Sequence, residues 1–146
     1  MSVSAEIVSF PRRMAAVFYD TLLIGVTTAI LGGIIATSIA HLSGIQLQPG
    51  SPLSNALFIL DLIIAFGLFG WFWTHGGQTL GMRAWKIKVI TEDGSPFLWT
   101  HAFFRYVGAL LSWMALGVGY WIAIFDPHKL TWHDRFSRTY LVRTAR

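Results

Sequence analysis

From Thr21 to Ala40 the chain carries no charged side chain. A helix over such a run is about 30 Å long, the thickness of a bilayer's hydrocarbon core. The apolar stretch begins earlier, with Arg13 at its mouth and Asp20 two turns inside it. Seven residues on a helix return to nearly the same face, about 10 Å further along. A bare carboxylate at membrane depth costs on the order of 2.5 kcal/mol or more. Asp20 therefore requires a partner, a proton or water, and finding that partner is the main functional question the sequence poses.

Composition agrees with the bilayer. Only 12% of the residues are charged and 54% are hydrophobic, whereas a soluble domain carries about 25% charged residues. The length of 146 residues is enough for one domain, taken here as 1–146 with a short cytoplasmic N-terminus over 1–11. There is no cysteine, which excludes disulfides, thiolate metal sites and cysteine nucleophiles. The net charge of +4 sits beside apolar segments, which reads as positive-inside anchoring and excludes a nucleic-acid surface.

The first helix is expected at about 12–40, with Pro11 at its start. The apolar stretch is far longer than a signal peptide's and holds Asp20, so cleavage is not expected. Gly25, Ala29 and Gly33 recur every four residues and predict a small face for close helix contact. Residues 41–53 hold Gly44, Pro49, Gly50 and Pro52 but no Lys or Arg, a turn-rich loop on the non-cytoplasmic side. The second helix is expected from Leu53 to Trp73. It carries Asp61 in its outer half, read as a protonated or water-exposed acid near the outer interface with His41 as its one nearby base. The alternative for Asp61 is a proton or ion group in transport.

The glycines of Gly76-Gly77-Gln78-Thr79-Leu80-Gly81 end the second helix, and Thr79 suits the cap of a short turn on the membrane surface. Trp85, Ile87 and Val89 alternate with Lys86 and Lys88, a pattern for a half-exposed strand. The third apolar region, about 102–125, has Arg105 near its start. One crossing would place Lys129, Arg135, Arg138, Arg143 and Arg146 outside, against the positive-inside rule. A broken or re-entrant segment turning near Ala115–Gly119 returns the tail to the cytoplasm. Thr131 and Asp134 have the spacing of a capping box, and Tyr140–Val142 is expected to pair with Trp85–Val89. These readings predict an all-α membrane protein: two transmembrane helices, a third broken or re-entrant apolar helical segment, and a small cytoplasmic strand pair.

Catalysis is not expected. Five histidines, His41, His75, His101, His128 and His133, show no paired spacing on a helix, so no metal site is expected. No Gly-x-Ser-x-Gly elbow is present, and no cofactor is expected.

Several motifs in order carry a resemblance. Arg13 and Asp20, then Gly77-Gln78-Thr79-Leu80-Gly81 with Ile87-Lys88-Val89 and Asp93-Gly94, then Asp134 in His-Asp-Arg-Phe-Ser-Arg-Thr-Tyr-Leu-Val make the chain resemble the RDD family of small membrane proteins over about 12–143. Ser137 departs from the small residue often found there, and Asp61 and His75 are not hallmarks of the family. The resemblance implies that Arg13, Asp20 and Asp134 form the family's charge set, and that transport is a proposed role of some members.

With Arg105 as fourth member, the charges are expected to meet at the cytoplasmic mouth, Asp20 with Arg105 and Asp134 with Arg13. The expected function is a non-catalytic module of the cell's inner or plasma membrane, multi-pass with both termini cytoplasmic. It is held by this buried Arg–Asp clasp and acts in assembly with a second copy or another membrane protein. The alternative is a transporter or ion-translocation component using Asp20 and Asp61 as titratable groups. The bilayer is the one certain partner; the molecular activity is not readable from sequence.

Overall fold

The structure, a computed structural model, describes residues 7–144; Arg146 and most of the 1–11 segment lie outside them. The first helix, α1, runs over Phe10–Ser43, with Pro11 in its first turn and a left-handed Gly44 closing it. It is longer than expected at both ends. Immediately after Asp20 it opens into a π-helical turn, Thr21–Gly25, a widening that often accompanies function. Helix α2, Pro52–Thr74, matches the expected second span to one residue at each end. The Ser51 hydroxyl accepts from Ser54 N–H at 3.2 Å and fixes its start.

Both helices are apolar and long enough to cross a membrane. They present Ile30, Ile34, Phe58, Ile59 and Ile63 more than half exposed, which a lipid solvent requires and water does not. The expected small face of α1 is corrected. A Cβ on Gly25 or Gly33 would meet nothing within 4 Å, whereas one on Gly32 would lie 3.1 Å from Asp61 Oδ1. Gly25 and Gly33 meet open space, Gly25 lining a cavity, and the close contact with α2 is made at Gly32, one residue off the predicted stripe.

A short helix α3, Leu80–Ala84, follows the glycines, capped by Thr79 as expected. Strand β1, Ile87–Thr91, begins two residues later than predicted, because Trp85 ends α3 and Lys86 takes φ 53°. It pairs antiparallel with β2, Thr139–Arg143, in the register Val89↔Leu141. Ile7 adds a bridge to Val142, so both described chain ends lie on the sheet side.

Between the strands, α4 (Trp99–Met114) and α5 (Val118–Phe125) are bent by 97° at their break. The bend falls where expected. Leu116 and Gly117 there take φ 54° and 78°, and a Gly117 N–H to Ser112 carbonyl bond of 2.6 Å closes the turn. The start of α4 and the end of α5 both lie on the sheet side. A Cβ on Gly70 would be 2.4 Å from the Trp99 ring, and the Lys129 carbonyl accepts from Arg13 at 3.1 Å. Helix α6, Trp132–Ser137, then leads into β2. The buried core, Val8, Ala16, Trp73, Met82, Ile87, Val89, Ala102 and Leu141, also lies on the sheet side. The densest packing therefore lies where the helices meet the sheet, and the lipid-length helices stand above it.

Candidate functional site

The site forms where the first turns of α1, the middle of α4 and the start of α6 converge. Thr131 and Asp134 make the capping box that the sequence spacing predicted. The Thr131 hydroxyl accepts from Asp134 N–H at 3.3 Å, and Asp134 Oδ2 accepts from Thr131 N–H at 3.0 Å. This box turns the Asp134 carboxylate toward two guanidinium groups. Arg13 Nη1 donates to Asp134 Oδ2 and, at 3.1 Å, to Thr131 Oγ1. Arg105 Nη1 donates to Asp134 Oδ1 at 2.6 Å and to Thr139 Oγ1 at 3.0 Å. Asp134 is fully buried and both arginines are nearly so. Burial pushes the Asp134 carboxyl up, but Arg13 and Arg105 together outweigh it and hold it well below the usual carboxylate range.

His133 completes the surroundings. Its Nε2 is 3.9 Å from Asp134 Oδ1, too far for a hydrogen bond, and its ring lies 4.8 Å from that of Tyr120. Burial lowers the His133 pKa to about 3 against the partial pull of Asp134, so the ring is neutral near neutrality. Two guanidinium groups thus face one carboxylate, and the buried cluster has a surplus positive charge.

The Arg13–Asp134 pairing stands as expected, but the Asp20–Arg105 pairing does not. Asp20 Oδ2 accepts from the Thr79 hydroxyl, and Oδ1 accepts from Gly81 N–H at 2.8 Å. The reason lies in Gly81, where a Cβ would fall 2.3 Å from the Ala16 carbonyl oxygen. Only glycine lets the α3 backbone come this close to α1 and offer its free amides to the carboxylate. Arg105 meanwhile is taken by Asp134. A charge swap between Asp20 and Arg105 is therefore not expected to rescue either single change.

Asp61 stands apart from both groups. It packs beside Gly32, and its Oδ1 is buried without a hydrogen-bond partner. Asp61 is half-buried and no bond joins it to His41, which is exposed, so the expected pairing with His41 is not made. Gly32 lies twelve residues beyond Asp20, and Asp61 twelve before Trp73, so about 18 Å separates the two levels along each helix.

A cavity of about 370 Å³ joins these levels, lined among others by Asp20, Asp61, Trp73, Arg105, Tyr120 and His133. Three buried side-chain polar atoms lack a partner among the described residues: Asp61 Oδ1, Trp73 Nε1 and His133 Nδ1. All three belong to residues that line this cavity. No three His, Asp or Glu side chains gather there as metal ligands among the described residues.

Sequence reasoning missed Trp73, His133 and the Thr79–Gly81 pair as members of the site. The motif Gly77-Gln78-Thr79-Leu80-Gly81 held the signal for the last, since a cap residue two before a glycine suits an anion held at a helix start. It also missed Asp126, which accepts from Leu130 N–H at 2.9 Å, from His128 N–H at 3.2 Å and from Arg135. The Leu130 amide first, then Arg135, hold its carboxyl below the usual range.

A family model described as the RDD family matches residues 7–138. No curated protein and no solved structure matches the chain.

Proposed function

The chain belongs to the RDD family, and on that premise we propose that it is a non-catalytic membrane module whose Arg13–Asp134–Arg105 clasp sets a rigid base for assembly with other membrane proteins or a second copy. The observation that carries this reading is Asp134 itself, fully buried and bonded to guanidinium groups from two different helices. Both of its oxygens are engaged, by the two guanidinium groups and the Thr131 amide. It ties the start of α1 and the middle of α4 to the segment that leads into β2. Above this base, the exposed apolar faces of α1 and α2 suit lipid or a partner helix.

In this reading the protein is multi-pass in the cell membrane with the sheet cytoplasmic. Exposed Arg83, Lys86, Lys88 and Arg138 cluster on the sheet side, and the 41–53 loop has no Lys or Arg, which supports that orientation. The 97° bend between α4 and α5 supports a re-entrant pair that does not cross. Cysteine labelling after β2 from outside intact cells should fail; labelling from outside would sink this topology.

A second reading, transport of an ion or proton, is favoured by one observation: Asp20 and Asp61 line the same cavity, one of them with an unpartnered oxygen. The two readings separate in one experiment on the purified protein. Mass measurement in mild detergent should show a stoichiometric complex that Asp134→Asn disrupts, and proteoliposomes should show no flux that depends on Asp20. A monomer whose ion flux disappears in Asp20→Asn while the fold survives would reverse the preference.

A further inference from the structure

The clasp leaves part of Arg105 unused. Its two hydrogen bonds both come from Nη1, so Nη2 and Nε–H have no partner among the described residues, and Arg105 lines the cavity. The guanidinium carbon sits 5.5 Å over the Trp73 ring. Trp73 is buried, lines the same cavity, and its Nε1 is unpartnered. A guanidinium and an indole N–H are donors only. Whatever satisfies them must be an acceptor, which excludes a bare cation at this end.

Charge points the same way. Arg13 and Arg105 face one carboxylate, and His133 beside them is uncharged, so the buried cluster lacks a negative charge. Asp20 bonds to neither arginine; its two oxygens are taken by Thr79 and Gly81 of the α3 start. The far end of the cavity holds the Asp61 carboxyl, about 18 Å away along α2. The cavity therefore offers an unmet donor beside Arg105 at one end and an unmet acceptor, Asp61 Oδ1, at the other, so an accepting head group fits the Arg105–Trp73 end. Between them the wall is apolar, with Ile24, Ala65, Phe69, Ala109 and Leu110. The length is close to that of one leaflet, about 15 Å.

We propose that this cavity binds a single-chain acidic amphiphile from the bilayer, its carboxylate on Arg105 and Trp73 Nε1 and its chain along the apolar wall toward Asp61. The site is separate from any partner surface, so it stands or falls apart from the assembly reading. Trp73 recognises the head, and Arg105 supplies the charge while still holding Asp134.

The test uses the purified full-length protein in an uncharged detergent and radiolabelled oleate as probe. Oleate should bind saturably, one per chain. Oleyl alcohol, with the same chain and no charge, should bind about tenfold more weakly, as loss of hydrogen bonds to a charged group implies. Inorganic phosphate should not compete. Trp73→Phe keeps a ring under Arg105 and removes the N–H, so it should weaken oleate by about tenfold and oleyl alcohol, whose hydroxyl accepts only a neutral bond, by less. Trp71→Phe, at an exposed position, should leave both unchanged. Equal binding of oleate and oleyl alcohol to the unaltered protein would overturn the proposal, and that arm needs no variant to fold. Unaltered oleate affinity in a folded Trp73→Phe protein would also overturn it. Competition by phosphate at concentrations similar to oleate would assign the site to a free oxyanion and remove the amphiphile.

Discussion

Asp134 is a fully buried acid in an apolar chain and Asp61 a half-buried one, and they live by opposite means. Asp134 gathers two guanidinium groups and a backbone amide around its two oxygens. Asp61 keeps one oxygen without any partner, beside a glycine and facing a cavity. A buried carboxylate can be stabilised by saturation, in which case it becomes a structural joint. It can also be left open to whatever fills the adjoining space, in which case it is where a guest or a proton acts. The difference comes from position. Asp134 lies in the packed layer beneath the helices, where three elements bring donors together. Asp61 lies along a lipid-length helix, beside Gly32 and facing the cavity.

The largest expected effect separates these two acids. Asp134→Asn removes the charge between Arg13 and Arg105 and should lower stability by about 3–5 kcal/mol, the cost of uncompensated buried charge. Asp61→Asn breaks no bond and should change stability by about 1 kcal/mol or less. Thermal unfolding in detergent reads both, and equal losses would erase the distinction.

Next in size is a contrast of glycines. Gly81→Ala would set a methyl 2.3 Å from the Ala16 carbonyl oxygen and should cost about 1–3 kcal/mol by overpacking. Gly33→Ala meets open space and should be neutral or gain up to about 1 kcal/mol from helix propensity. The same melting measurement checks them. A costly Gly33→Ala would place a tight helix contact in the membrane layer, in the monomer or between copies.

A gradual effect, a pH slope, belongs to the packed layer alone. His133 has a folded pKa of about 3, below its ordinary value of about 6.5. The unfolded chain takes up its proton first, so stability is full above about pH 6.5 and falls as the pH drops toward the folded pKa. The slope is at most about 1.4 kcal/mol per pH unit for one proton. His133→Gln should flatten the loss between about pH 6.5 and 4. Below that range Asp134, also depressed in the fold, loses stability with the same sign. A slope unaltered in His133→Gln would mean that the ring is not the neutral buried group described.

Much of this was readable before any coordinates. The uncharged run after Asp20 fixes α1, because twenty apolar residues have few other fates. Gly117 and the basic tail predict the break between α4 and α5, and Thr131 with Asp134 predicts the cap that aims the carboxylate. The Arg13–Asp134 bond follows from one being at the mouth and the other in the tail. Helix periodicity misplaced the close contact by one residue, since Gly25 and Gly33 recur as neatly as any packing stripe yet meet open space.

The sequence by itself determined which segments are long and apolar enough to cross a membrane, where the third apolar region breaks, and which four charges must be accounted for. Those properties follow from local chemistry: hydropathy, caps and the residues that break helices. Only the tertiary structure decided which charge meets which. Asp20 could be assigned to Arg105 by depth along two helices, but the choice rested on Gly81, whose missing side chain admits the α3 backbone and its amides. Partner choice depends on distances of a few ångströms between elements far apart in sequence, and no spacing along one chain carries that information. The cavity with its unpartnered Trp73 and His133 belongs to the same class, because a void is defined by what several helices together fail to fill.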